Sequence, residues 1–232
     1  MRTHAPGVRT ASRRRLVLVV ALLAASAAVV VGIAARVVTH QSLELTNLVW
    51  NLFLAWIPFA LGLVVYDHAR NGARRRSLLP LGAAWLVFLP NAPYIVTDVK
   101  ILDHLVSRIF WYDAVLVVGA ATLGLLLGFV SLYLVQAVVS ARLGRMAGWL
   151  FAAGALVLSG IGVHLGRYQR WNSWEVVTEP TKIFGGLAEG LLDPLAHARP
   201  LALSAVFAAV WCSGYAVFYS VCRPQLRRLE GR

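Results

Sequence analysis

Charged residues are scarce in this chain. Asp, Glu, Lys and Arg make up 14% of its 232 residues, against about a quarter in a soluble globular domain. They sit in short segments between apolar runs, so almost no chain is left for a soluble domain. Lysine is nearly missing: of the 22 basic residues, all but Lys100 and Lys182 are arginine. Cysteine is limited to Cys212 and Cys222. Ten residues along one helix separate them by about 15 Å, too far for a disulfide within that helix. The chain has no CxxC or Cys/His spacing of the kind that points to a cysteine-built zinc site. Acidic residues number 10, leaving a net charge of +12. In a soluble protein that excess would point to nucleic acid; its distribution here argues otherwise.

What the chain has instead is apolar length: 59% apolar residues and a mean hydropathy of +0.70. A membrane-spanning helix needs about 20 mostly apolar residues. Six runs qualify: Leu16–Val38, Leu43–Tyr66, Leu78–Val99, Trp111–Val139, Met146–Gly166 and Pro200–Val221. The expected fold is all-α, a polytopic transmembrane bundle of about six spans forming one membrane domain over 16–222. A basic N-terminus (1–15), an outer loop (167–199) and a basic tail (223–232) complete it. The first run follows SRRRLVL, Ser12–Leu18, but is too long for a signal peptide and lacks a cleavage site, so it reads as an uncleaved span.

Loop charges set the direction. Fifteen of the basic residues fall on the side of both termini, and seven on the other: Arg36, Lys100, Arg108, Arg167, Arg170, Lys182 and Arg199. The first side holds just two acidic residues, Asp67 and Glu230. Both termini are therefore expected in the cytoplasm, in a multi-pass protein of the cell inner membrane. The arginine excess reads as contact with anionic lipids at the cytoplasmic face, not as a nucleic-acid surface.

One run is irregular. In FLPNAPYIVTDVK, Phe88–Lys100, two prolines interrupt the third span. Leu78–Leu89 would reach about 18 Å as a helix, short of the ~30 Å hydrocarbon core. Pro90 and Pro93 remove two amide donors, leaving the carbonyls of Leu86 and Leu89 without their helical partners. The expectation is a span broken at Pro90/Pro93, in the outer half of the bilayer, with Asn91 supplying hydrogen bonds. Irregular backbone at that depth must be buried in protein or line a wet cavity.

Other polar groups gather at the same level. Glu44, Asn47 and Asn51 are spaced to share one face of the second span. His164 and Arg167 share a face at the end of the fifth, and ionisable groups beside a membrane are usually paired; Asp98, Asp103 and Asp113 are the available partners. Asp113 also suits the positive end of a helix start. Asp98, Asp113 and His164 are the candidate catalytic residues. Asn47, Asn51, Asn91, Tyr94, Arg167, Arg170, Trp171, Asn172 and Trp174 are the candidate binding residues. Against these stand plainer readings. Trp111, Trp171 and Trp174 fit the aromatic belt at headgroup level, and His164 and Arg167 fit structural pairing. Asp98, Asp103 and His104 are unspecific as metal ligands, so no metal and no cofactor is assigned. Gly124-xxx-Gly128, Gly162-xxx-Gly166 and the series Ala24, Ala28, Gly32 suit close helix packing. Residues 181–196 carry a candidate amphipathic helix, either connector or lid.

NLFLAWIPF (Asn51–Phe59), FLPNAPYIVTD (Phe88–Asp98), WYD (Trp111–Asp113) and LSGIGVHLGRYQRWNSWEV (Leu158–Val176) together resemble a bacterial integral-membrane family catalogued as domain of unknown function 1361. The resemblance covers roughly Leu43 to Val221. It implies a multi-span membrane protein and brings no activity or catalytic residues with it.

Three functional classes follow. The favoured one is a binding or assembly component of the cell envelope, with an outward-facing polar pocket between spans two to five that meets an envelope protein partner. The second is a membrane enzyme or transferase working on a lipid or lipid-linked envelope precursor at the outer leaflet. There Asp98 or Asp113 would be the acid/base, and Arg167 and Arg170 would hold an anionic group. The third is a small-solute permease.

Overall fold

The structure is a computed structural model that describes residues 6–104, 109–168, 178, 181 and 198–229. Every described element is helical. In chain order they are α1 (Pro6–His40), α2 (Thr46–Arg70), α3 (Arg75–Phe88), α4 (Asn91–Tyr94), a 3-10 helix (Ile95–His104), α5 (Phe110–Leu143), α6 (Arg145–Tyr168) and α7 (Ala198–Leu229). Six segments are long and apolar enough to cross a membrane: Arg13–His40, Thr46–Arg70, Arg75–Leu102, Phe110–Leu143, Arg145–Val163 and Ala202–Cys222. The chain is an all-α, six-span polytopic bundle.

α5 is the most enclosed span and α7 the least. The reason lies in side-chain size. α5 alternates bulky Leu116, Leu123, Leu127 and Leu132 with small Ala120, Ala121, Gly124 and Gly128, all buried. In lipid the solvent is as apolar as leucine, so helices associate by close packing and hydrogen bonding. The small residues let neighbours approach from several sides, and α5 packs against α1, α2, α4, the 3-10 helix and α6. On one flank Leu48, Leu52, Ala55 and Phe59 of α2 meet Val117, Ala120 and Leu127. On the other, Trp85 and Leu89 meet Leu132, Val135, Leu156, Trp211 and Tyr215. Polar groups inside the bundle are paired: Trp85 Nε1 donates to Ser131 Oγ at 2.5 Å, Ser131 Oγ donates to the Pro58 carbonyl at 2.8 Å, and the Tyr215 hydroxyl donates to Gln136.

α1 packs through Leu22, Ser26, Val29, Ile33 and Arg36, spaced three and four apart on one face. Ala24 and Ala28, expected at a packing seam, lie on the exposed side. Among the small residues of that series it is Gly32 whose backbone is engaged, its carbonyl accepting the Tyr112 hydroxyl at 2.7 Å. At the other end of the bundle Arg15 pairs with Asp67 at 2.6 Å and sits 4.7 Å over the Tyr66 ring.

The third span changes helix type along its length. α3 stops at Phe88, a turn covers Leu89 and Pro90, and after α4 the chain runs ten residues as a 3-10 helix. The dihedrals of Leu89 (−54°, −40°) and Pro90 (−58°, −25°) stay in the helical range. Fourteen α-helical residues rise about 21 Å; ten 3-10 residues add about 20 Å, because that helix rises about 2.0 Å per residue. The two proline effects play out differently from the simple count of lost donors. The Leu89 carbonyl is not left empty: it accepts the Ala92 N–H at 3.1 Å. That diverts Ala92 from the Phe88 carbonyl, and Asn91 Nδ2 fills the gap by donating to Phe88 at 3.0 Å. The turn is seated against glycines. A Cβ on Gly124 would lie 2.6 Å from the Ala92 carbonyl oxygen, and one on Gly162 would lie 2.7 Å from the Pro90 ring.

Candidate functional site

Asp98 lies on the 3-10 helix, one 3-10 turn after Ile95. Three residues per turn put the two on one face, and both are buried. Burial leaves the carboxylate needing partners, and it takes them from two other spans. Asn51 Nδ2 of α2 donates to Oδ2 at 2.6 Å, and Arg167 Nη1 of α6 donates to Oδ1 at 3.1 Å. The Asp98 side chain is 4% exposed and that of Arg167 27%. Spans two, three and five are thus tied together at one end of the bundle by a single carboxylate.

Asp113 belongs to a different cluster. It sits in the first turn of α5, fully buried, and grips Arg36 of α1 with both oxygens: Nε to Oδ1 at 2.5 Å and Nη2 to Oδ2 at 3.0 Å. The Arg36 side chain is 3% exposed. Its remaining donors are also engaged, Nη2 with Glu44 at 3.0 Å and Nη1 with the Ser42 carbonyl at 3.4 Å. Glu44 is well exposed. The Arg36 hydrogen bond, then one from Ser42, hold its carboxyl below the usual glutamate range.

These contacts sort the expected site residues. Asp98, Asn51 and Arg167 come together. Asp113 does not join them, because Arg36 already occupies it. Glu44, Asn47 and Asn51 do not act as one face: α2 begins at Thr46, and the turn before it, closed by Thr46 N–H to the Leu43 carbonyl, sends Glu44 toward α1. Asn47 is exposed. Asn91 braces the turn as described, and Tyr94 packs at the edge of the core around Trp85 while its carbonyl accepts the Thr97 hydroxyl at 2.7 Å. His164 lies in α6, but its side chain is outside the described residues, as are Arg170, Trp171, Asn172, Trp174 and nearly all of 181–196.

The residue that the sequence reading missed is Arg36. Its signal was present: a lone arginine at the end of an apolar run, which in a membrane requires a partner. Counting it only as a loop charge hid that requirement.

Residues 50–213 match the profile of the family described as "Protein of unknown function (DUF1361)". The chain belongs to this bacterial family. Comparison with curated proteins and with solved structures gave no match. Within this DUF1361 chain, Asn51, Asp98, Asp113 and Arg167 all lie in the matched stretch, whereas Arg36 and Glu44 precede it. The Asp98 cluster is therefore built wholly from the family region, and the Asp113 cluster fastens an additional helix onto it.

Proposed function

We propose that this DUF1361 protein is a binding or assembly component of the bacterial cell envelope. In this reading it sits in the cytoplasmic membrane with both termini in the cytoplasm and presents a polar recess outward between spans two, three and five. The Pro90/Pro93 step is taken as the break that lets the third span carry a carboxylate into that recess. The observation that carries the reading is the convergence of Asn51, Asp98 and Arg167 from three spans. The shift from α to 3-10 geometry at the proline step supports the break, and the loop charges support the direction.

The pairing of both carboxylates favours recognition over acid/base chemistry. An acid/base must reach a reacting proton, and Asp98 and Asp113 already face a cation within the fold. The enzyme reading retains one specific support, the meeting of Asp98 with Arg167, and loses Asp113 to Arg36. A permease would need a path to the opposite face. Leu127, Leu132, Leu134, Val135 and Tyr215, all buried, fill that part of the bundle and count against it.

The test is in cells. With Cys212 and Cys222 replaced by alanine, a membrane-impermeant maleimide added outside should label Asn47→Cys and Val99→Cys, and should label Arg76→Cys only after permeabilisation. The reverse pattern would overturn the orientation. In a deletion strain, Asp98→Asn and Arg167→Ala proteins present at normal levels should fail to restore the envelope phenotype. Lipid and polymer profiles that show an accumulated precursor in the deletion strain would transfer the argument to the enzyme reading.

A further inference from the structure

The two arginine–aspartate pairs differ in a way that assigns a ligand class to one of them. A guanidinium carries five N–H donors in a planar fork that matches carboxylate or phosphate in two-pronged contact. Arg36 uses its fork in two-pronged form: two prongs on Asp113, with Glu44 and the Ser42 carbonyl taking further donors. Four of its five N–H groups are thereby met, and 3% of the side chain is exposed. Among the described residues Arg167 makes one hydrogen bond, Nη1 to Asp98, while the other Asp98 oxygen is taken by Asn51. Among the described residues no acceptor meets Nε or Nη2 of Arg167, and 27% of its side chain is exposed. A pair serving the fold alone would be expected to close into the two-pronged form that Arg36 and Asp113 adopt. Here Asn51 Nδ2 takes Oδ2 and Arg167 Nη1 takes Oδ1, so the pair stays one-pronged and the arginine is held by one nitrogen.

The location narrows the ligand. Arg167 directly follows the apolar run Met146–Gly166 of its span. An arginine at the end of such a run is expected at the level of lipid headgroups. We propose that Arg167 is an oxyanion receptor. In this assignment the unused edge of its guanidinium takes two oxygens of a phosphate group, and Asp98 and Asn51 are positioning residues that fix the arginine's orientation. The phosphate belongs either to a phospholipid headgroup or to a small phosphate-bearing solute. This inference rests on the proposed outward recess for its biological meaning but not for its chemistry.

The experiment uses the full chain, purified in an uncharged detergent. Short-chain phosphatidylglycerol and inorganic phosphate are titrated separately against thermal unfolding. Arg167→Gln should weaken binding of the active probe about tenfold or more, the scale of a lost hydrogen bond to a charged group. Arg167→Lys, which keeps the charge and loses the fork, should fall between. Arg74→Gln, which removes one exposed arginine from the opposite loop, should change little. Arg167-dependent saturation by the lipid at concentrations where inorganic phosphate gives no shift identifies a headgroup ligand; Arg167-dependent saturation by inorganic phosphate alone identifies the solute. Equal weakening by Arg74→Gln and Arg167→Gln would mean generic attraction to basic charge and would overturn the proposal, as would unchanged binding in a folded Arg167→Gln protein. Intact phosphate recognition alongside full rescue of the deletion strain by Arg167→Ala would sink the envelope role alone.

Discussion

One protein holds an arginine against an aspartate twice, at opposite levels of commitment. Arg36 and Asp113 are sealed and two-pronged, with further bonds from Arg36 to Glu44 and Ser42; Arg167 and Asp98 share one hydrogen bond, with the arginine partly exposed. The first pair joins α1 to α5, and the second joins α6 to the 3-10 helix. Taking two charges out of water costs several kcal/mol per ion, about recovered only when geometry is good and every donor is met. The sealed pair comes close to that condition, with four of the five Arg36 N–H groups met. The open pair relaxes it on the arginine side, where exposure screens the charge and lowers the penalty. The difference separates a fastening from a presented group, and it can be challenged by breaking each pair in turn.

The largest effect is expected at the sealed pair. Asp113→Asn leaves Arg36 buried with a neutral amide, the Ser42 carbonyl and the solvent-screened carboxylate of Glu44. Removing one member of a buried pair destabilises by about 3–5 kcal/mol, so thermal unfolding in detergent should shift strongly downward. The double variant Arg36→Met/Asp113→Leu should recover most of that loss, because well-packed apolar residues replace a buried pair at little or no cost. If the single and double variants are equally unstable, the cluster contributes packing rather than charge compensation.

A smaller effect is expected from Gly124→Ala, and it sharpens the comparison by touching one side only. The added Cβ would meet the Ala92 backbone oxygen at 2.6 Å, and backbone cannot swing aside as a flexible side chain can. Overpacking of this kind costs about 1–3 kcal/mol. The displaced turn leads directly into the 3-10 helix, so Asp98 should move relative to Asn51 and Arg167 while Arg36 and Asp113 stay in place. The measurable outcome is weakened phosphate recognition at Arg167 with a modest fall in unfolding temperature. Weakening of the sealed pair in the same variant would show that the two clusters are mechanically coupled.

Much of the fold was legible because the bilayer constrains it so tightly. Six apolar runs of sufficient length allow few alternatives, and every candidate span contains the heart of one run. The proline segment was legible as irregular, but its solution was not. That depended on Ala92 pairing with Leu89 and Asn91 with Phe88, contacts fixed by a close fit against Gly124 and Gly162 that no single-chain pattern encodes. The glycine spacing was visible, while the guest it accommodates was not. The Asp98–Arg167 contact was within reach, as one of several aspartates available to one arginine. The Arg36–Asp113 pair was missed for a different reason. Arg36 was read as a loop charge, and Asp113 had a sufficient local explanation at a helix start.

Asp98→Asn tests the open pair from its other half. The amide keeps an oxygen for Arg167 and can still meet Asn51, and the released arginine is exposed enough to find water or a headgroup. The stability loss should therefore be about 1 kcal/mol, the scale of an ordinary net hydrogen bond, well below that for Asp113→Asn. Comparable losses for the two variants would erase the distinction between them.

The smallest effect concerns Glu44, the exposed member of the sealed cluster. Its carboxyl titrates below the usual glutamate range because Arg36, and then Ser42, hydrogen-bond the charged form. A depressed folded-state pKa adds stability above the unfolded pKa and loses it as pH falls through the folded one. The contribution is thus complete at neutral pH and vanishes only in acid. Exposure makes it small, since water and salt screen the bond. Glu44→Gln should accordingly leave the unfolding temperature at pH 7 nearly unchanged and flatten its decline in mild acid. Added salt should shrink even that difference, while leaving the effect of Asp113→Asn in place, because screening reaches an exposed carboxylate and not a buried pair. A salt response of equal size in both variants would mean that Asp113 is wetter than its burial implies, and that the sealed pair is not sealed.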